Sequence, residues 1–573
     1  MIKNSALKEQ QKTWVNWVLL LLFLAILAWL ARYWMSADFG FYEDDLTYIP
    51  GVIDSNFAEI RQLAAQLSTM AHQGRPLMWF WVIMFSYLGW NVGGLQGMYI
   101  IGYLLWLVNI ILFVLLLRRL KAPAIFSVIG GLVYVLFSAD TNQAFLFNAL
   151  GLQPALSFLL IALHVYLGKE KTSWLAYLFL VLVLINYETP FWLFLAAPLL
   201  REEKNKILIR KVVVNFLVMV AIFIMIYFIR QLSGDSRVAA LSFKEMFITP
   251  IKHMAIGPAV SMGIYFLRPF LVLRAISVNL VLAILISALT FFALQYWAIY
   301  TDKLQYVNYF PFKKGWWLNL SPEVQREIRL LLAGLIMLAF AYPLTIILRP
   351  YAISGRETRV HFAGVVGTAL IGASMMTLIM RALKNKGIKV VFLGLVCLIL
   401  GMNFAFGFVI QKAYVRAWDL QKEFWQTLIP MISDSVDGTA ILVEPSGIED
   451  VLYIDANTWV VPRILDRLYI FPNEWEQTPA AYRLVPFWED SIVREPHYFT
   501  IDYKNSFVPM KTFEEIDQSL AIYITTSDGK MERQTTMNIN DEIITLKSIG
   551  PDIFSTLETT TLYDLMILDD ILP

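Results

Sequence analysis

A single cysteine, Cys397, stands in 573 residues, and it lies inside an apolar run. That excludes disulfides and multi-cysteine metal sites. Histidine is nearly as scarce, with five copies and none in an HExxH-like spacing, which argues against a zinc enzyme. Charge is also thin. Asp, Glu, Lys and Arg make up 16% of the chain, where soluble domains average about 25%. Internal repeats and low-complexity tracts are missing too.

The chain is instead apolar, at 58% hydrophobic with a mean hydropathy of +0.60. Many runs approach or exceed about 18 residues, enough to cross a hydrocarbon core of roughly 30 Å. A polytopic helical membrane protein is expected. The first run, Trp14 to Trp34, is too long for a signal h-region and lacks a small-x-small cleavage site, so no cleaved signal is expected.

The net charge of +1 hides an asymmetry. From Trp418 onward there are 27 acidic and 10 basic residues, so 18 of the 45 acids and 36 of the 46 bases precede it. A basic membrane domain, 1–417, is followed by an acidic soluble domain, 418–573. Nucleic acid is excluded as a partner of so acidic a tail. Runs such as Thr439–Val443, Asp450–Ile454, Ser519–Ile524 and Glu542–Leu546 read as strands, with Thr458–Leu468 helical between them. The tail is therefore expected to be a small α/β or mostly β domain.

Basic clusters set the topology. Lys3, Lys8 and Lys12 place the N-terminus in the cytoplasm, and Arg118-Arg119-Leu120-Lys121 marks another cytoplasmic end. Both runs 77–90 and 97–117 cannot cross without exposing that cluster outside. The first is therefore read as interfacial or partly inserted, and the second as a crossing. Continuing along the chain, 231–268 reads as an external segment and Ile388–Ile410 as the last exit. The count is about eleven crossings, with the N-terminus inside and the tail outside.

Three polar groups from distant positions fall on that external side. The first is Glu43-Asp44-Asp45, which opens a loop over 38–75. Its alternative is a solvated juxtamembrane charge cluster. Flanking Phe39, Phe41, Tyr42 and Tyr48 favour a site, as does the amphipathic helix expected over Asn56–Met70 with an Asn56/Glu59 capping box. Crowded carboxylates raise the pKa of at least one member and make it a better general base. The second group is Glu188, at the tip Asn186-Tyr187-Glu188-Thr189-Pro190. An acid at the end of a short apolar hairpin needs a partner or an aqueous face; the alternative is a cap on the following helix. The third is Arg349, Arg356, Arg359 and His361. Positive charge outside runs against the topology bias and asks for an anion such as a lipid phosphate; the alternative is headgroup snorkelling. Arg75, in Gly74-Arg75-Pro76, is a further external cation.

A cytoplasmic N-terminus, one helix, and then an acidic pair opening a long external loop with an amphipathic helix resemble the type-C glycosyltransferase (GT-C) superfamily. Gly74-Arg75-Pro76-Leu77 and Asn186-Tyr187-Glu188-Thr189-Pro190 resemble stretches of its bacterial members. The resemblance spans about 12–410. It implies an integral membrane enzyme that transfers a sugar, with inversion, from a polyprenyl-phosphate donor to an extracytoplasmic glycan, lipid or protein. In the family an Asp of the first loop is the base, which maps to Asp44 or Asp45. Glu43 and Glu188 would assist, and Arg75, Arg356, Arg359 and His361 would hold the phosphate. The Arg-Tyr pair before a late helix of several relatives is replaced by Gly355-Arg356-Glu357-Thr358-Arg359. No cofactor is required; if Mg²⁺ or Mn²⁺ is bound, Asp44, Asp45 and Glu188 would supply oxygen ligands. The resemblance places the chain in the inner or plasma membrane, among membrane lipids. The competing functions are a transporter or flippase of lipid-linked glycans and a non-catalytic envelope scaffold. A transporter should carry ionisable residues at helix midpoints, where this chain has few.

Overall fold

The computed structural model describes residues 2–201, 205–235, 243–302, 306–307, 320–345, 349–444, 464–484, 492–494, 498–504, 511–527, 530–539 and 541–568. The chain forms two compact units. One comprises 1–37, 61–89 and 96–412, the other 38–60, 90–95 and 413–573. The division is not the single cut at 417 that composition suggests, because the acidic loop clusters with the tail.

The first unit is helical. Among the described residues, eight helices are long and apolar enough to cross a membrane, and Ala124–Val135 and Phe191–Leu200 are shorter apolar helices. The expected count of about eleven crossings is not confirmed by these helices. The two arms that flank Glu188 are short: Leu175–Asn186 has 12 residues, and Phe191–Leu200 is a 10-residue 3-10 helix.

The segment 231–268, expected to be external, holds most of the helix Phe243–Leu271, whose interior carries Pro250, Pro258 and Pro269 and which contributes to a helix long and apolar enough to cross a membrane. In a membrane helix, neighbouring groups re-satisfy the freed backbone. His253 is buried and shares a 3.0 Å hydrogen bond with Thr345 Oγ1.

The stretch Pro76–Arg119 folds back on itself. Its helix is broken at Gly93 and Gly94, and Gly94 sits at φ 57°. Residues 89 and 97 of an unbroken helix would be about 12 Å apart along the axis. Here a Cβ on Gly97 would run into the Gly89 carbonyl, and one on Gly89 would lie 2.6 Å from Met98 Cα. The two arms therefore meet at Gly89 and Gly97 through bare glycine backbone. The same use of small residues joins Pro322–Ala339 to Gly364–Ala382, where a Cβ on Gly367 would lie 2.5 Å from the Leu338 nitrogen.

The helix Lys386–Ile432 runs 47 residues, well past the expected exit at Ile410, and from residue 413 onward it belongs to the second unit. Its end leads into a small sheet region. Strand β1 (Ala440–Val443) lies between β3 (Ala480–Arg483) and β7 (Ile522–Ser527), parallel to both, and β8 (Lys530–Gln534) closes the sheet antiparallel to β7. All four residues of β1 are buried and apolar, as a strand covered on both faces requires. An antiparallel sheet joins β4 (Ile492–Arg494), β5 (Tyr498–Lys504) and β6 (Lys511–Asp517). Two-stranded pairs join β9 (Thr536–Ile539) to β10 (Glu542–Thr545) and β2 (Tyr469–Ile470) to β11 (Glu558–Thr559). The expected strand 450–454 and most of the expected helix 458–468 lie outside the described residues.

Just beyond Ile432, Asp434 fastens the helix end to this sheet region. It accepts hydrogen bonds from Arg533 (2.5 and 3.1 Å), Lys547 Nζ (3.0 Å) and Gly550 N (2.9 Å). Burial alone would raise its carboxyl. The Arg533, Gly550 and Lys547 hydrogen bonds, with the charge of Arg533, outweigh it and bring the carboxyl down to about 2.

Candidate functional site

The acidic loop is held within the second unit by the aromatic residues that flank it. Phe39, Phe41 and Tyr42 are buried. Phe39 stacks on Tyr414 at 4.9 Å, Tyr42 meets Tyr414 edge-on at 5.0 Å, and Phe41 meets Trp418 at 6.3 Å. The Tyr42 hydroxyl accepts from Gly40 N (3.0 Å) and donates to the Tyr414 carbonyl (2.9 Å). A Cβ on Gly40 would collide with the Trp418 indole, so only glycine fits there. Gln421 adds a 3.2 Å bond to the Phe41 carbonyl.

This clamp shapes the three acids differently. Glu43 is buried at φ 47°, a left-handed backbone that a long side chain adopts only under constraint. Asp45 is fully buried, and its carboxylate accepts from Tyr42 N at 3.3 Å. Asp44 opens the helix Asp44–Tyr48 and is half-buried. Of the three, Asp44 alone is not buried. Downstream, the capping box is present. Asn56 Oδ1 accepts from Glu59 N (3.2 Å), and Glu59 Oε2 accepts from Asn56 N (2.9 Å), at the start of Phe57–Leu67.

In the first unit, Arg75 and Glu188 meet in a two-point ion pair of 2.9 and 2.5 Å. The Arg75 guanidinium also lies 4.4 Å over the Tyr187 ring. Beside them Arg230 pairs with Asp235 at 2.7 Å and donates to the Gln73 carbonyl at 3.2 Å. Gly74 sits at φ 64°, and a Cβ there would run into Arg230. Its bareness lets two opposed charge pairs close over one turn of backbone. Burial alone would raise the Glu188 carboxyl, but Arg75, with help from Arg230, brings it down to about 2. Glu188 is thus an ionised partner of Arg75 rather than a cap on the next helix.

The third expected group divides. His361 is fully buried and both ring nitrogens are engaged, Nδ1 with the Tyr342 hydroxyl (3.0 Å) and Nε2 with the Ala352 carbonyl (2.9 Å). Burial lowers it to about 4. A neutral, doubly bonded imidazole has no charge to offer a phosphate, so the expected role of His361 is replaced by a structural one. Arg359 is half-buried in the 3-10 helix Arg356–His361. The side chain of Arg356 lies outside the described residues. Arg349 is exposed and 3.7 Å from Glu357.

Sequence reasoning missed the residue around which this region is organised. Asp140 lies in the loop between Ala124–Val135 and Leu146–Gly151 and is buried. Its carboxylate accepts from Asn142 N at 2.9 Å. Burial pushes it up to about 6, against the Asn142 bond and the charges of Arg32, Arg268 and Arg359. The loop is docked on the 3-10 helix by Thr141 to Thr358 (2.9 Å) and Asn142 to the Gly355 carbonyl (3.0 Å). Arg268 donates to the Ser138 and Ile353 carbonyls, and Arg32 to the Phe137 carbonyl. The available signal was Ser138-Ala-Asp-Thr-Asn-Gln143, a polar run between two apolar ones. Among the described residues, no group of three or more His, Cys, Asp or Glu is placed to hold a metal ion.

Comparison with family models, with curated proteins and with solved structures gives no match.

Proposed function

We propose that the protein is a membrane glycosyltransferase that moves a sugar from a polyprenyl-phosphate donor to an extracytoplasmic acceptor. The reading rests above all on the Glu43-Asp44-Asp45 turn. Two buried acids and a left-handed backbone are held in place by five aromatic side chains, with the third acid, Asp44, half-buried beside them. Strain and like charge concentrated on one turn are features of sites that perform chemistry. In the reaction, Asp44 takes the proton of an acceptor hydroxyl as its oxygen attacks the anomeric carbon. The carbon–oxygen bond to phosphate breaks, the electron pair leaves with the prenyl phosphate, and the configuration inverts. Within the first unit, the charges of Arg32, Arg268 and Arg359 all act on Asp140, a concentration of positive charge of the kind a phosphate needs, and Arg356 is a further candidate. The protein would lie in the plasma or inner membrane with a cytoplasmic N-terminus and an external tail.

The test uses full-length protein in native membranes, supplied with radiolabelled short-chain prenyl-phosphoryl sugars. Release of prenyl phosphate is expected, and Asp44→Asn should slow it about 10²- to 10⁴-fold, the usual contribution of a general base. If no donor of the panel is consumed, or if Asp44→Asn and Asp45→Asn both retain full turnover, the reading fails.

A further inference from the structure

Five buried polar atoms of the first unit have no hydrogen-bond partner among the described residues: Ser138 Oγ, Gln143 Oε1, Asn148 Oδ1, Asn186 Oδ1 and Thr189 Oγ1. Their residues are at most 7% exposed. A buried polar atom left unpaired is costly, so five of them call for a partner.

Hydrogen bonds connect the neighbourhood. Asn142 N donates to Asp140, and the Asn142 carbonyl accepts from Asn148 Nδ2 at 3.2 Å. Asn186 Nδ2 donates at 2.9 Å to the Gly151 carbonyl, one turn along the helix from Asn148. Each asparagine spends its NH₂ group on backbone, which leaves its oxygen turned to something else. Thr189 follows three residues after Asn186.

The chemistry of the unpaired set is one-sided. Three amide oxygens and the Asp140 carboxylate accept only, and the two hydroxyls can do either. Such a wall wants a ligand with several donors. A metal cation would fit the oxygens but not the surrounding Arg32, Arg268 and Arg359, whose charges already act on Asp140. A ring bearing hydroxyls on one side and a phosphate on the other fits both.

We infer that Asp140, Gln143, Asn148, Asn186 and Thr189 form the sugar-recognising subsite, which reads the hydroxyls of the donor while the nearby arginines face its phosphate. This deepens the glycosyltransferase reading and rests on it for the identity of the ligand.

The test measures binding of farnesyl phosphate and of farnesyl-phosphoryl mannose, glucose and arabinose to full-length protein in detergent. The wild type should prefer at least one sugar-bearing probe over farnesyl phosphate about 10-fold or more. Thr189→Val, which is nearly isosteric, and Asn148→Leu should each reduce that preference about 3- to 10-fold. Affinity for farnesyl phosphate should stay unchanged, which also reports that the variants fold. Arg359→Ala should weaken all four probes alike. A wild type indifferent to the sugar, or a preference that survives both substitutions, overturns the subsite, and the five atoms then face only water. If the preference is lost as expected but no donor of the panel is consumed, the subsite stands and the transferase reading falls. If transfer needs Asp44 and the preference ignores Asn148 and Thr189, the subsite falls alone.

Discussion

Arg75 and Glu188 are both nearly buried and joined at two points, so removing one strands the other. Breaking such a pair costs about 3–5 kcal/mol, and Arg75→Ala should lower the thermal stability of the purified protein accordingly. Arg75→Lys should recover only part of it, since an ammonium cannot match the two-point geometry or the Tyr187 stacking; equal melting of Arg75→Lys and wild type would contradict this. Because the Glu188 carboxyl is held at about 2 instead of 4.5, its contribution is fully present above pH 4.5. It is lost as pH falls from there toward 2, and Glu188→Gln should flatten the acid limb of a stability-against-pH curve. Both residues stood out in the sequence because charge at a membrane boundary is costly, but their pairing did not, since 113 positions separate them. Asp140 went unnoticed for the opposite reason: one acid in a short polar loop looks like any turn until three arginines from elsewhere are seen to face it.

At the scale of elements, the Gly89–Gly97 contact and the Asp434 fastening make separable predictions. Gly97→Val places a side chain on the Gly89 carbonyl, so the fold-back should open. Loss of monodisperse protein in detergent is the expected readout, with Gly263→Val as a tolerated control, because nothing lies within 4 Å of a Cβ there. Asp434→Ala leaves Arg533 and Lys547 without their shared carboxylate and should destabilise the tail by about 2–3 kcal/mol. Limited proteolysis of the full chain would then cut the tail faster than in wild type. Strands with continuous apolar runs, such as β1, were plain in the sequence. The helix Phe243–Leu271 was not, because three prolines and a Lys-His pair imitate a loop when the surrounding lipid and helices are left out of account.

For the whole molecule, composition separated an apolar basic part from an acidic tail, yet the compact units cut across that division. Residues 38–60 belong with the tail because their aromatic side chains pack on Tyr414 and Trp418, which no local pattern announces. The proposed topology is open to labelling, since the lone Cys397 is buried and supplies a silent background. A cysteine at exposed Lys171 should resist a membrane-impermeant maleimide in intact cells, and one at exposed Ser555 should react. The reverse pattern would invert the orientation. The clamp on the acidic loop has one more consequence, and it concerns time. Tyr42 and the carbonyl it bonds are 372 residues apart. At about 5–20 residues per second, a ribosome supplies the second roughly 20–70 s after the first. During that interval the three acids are present but unframed, so a nascent or prematurely ended chain holds the carboxylates without their fixed geometry. Synthesis beyond Trp418 thus completes the frame around them, and a chain stopped at Lys412 should leave residues 38–48 open to protease.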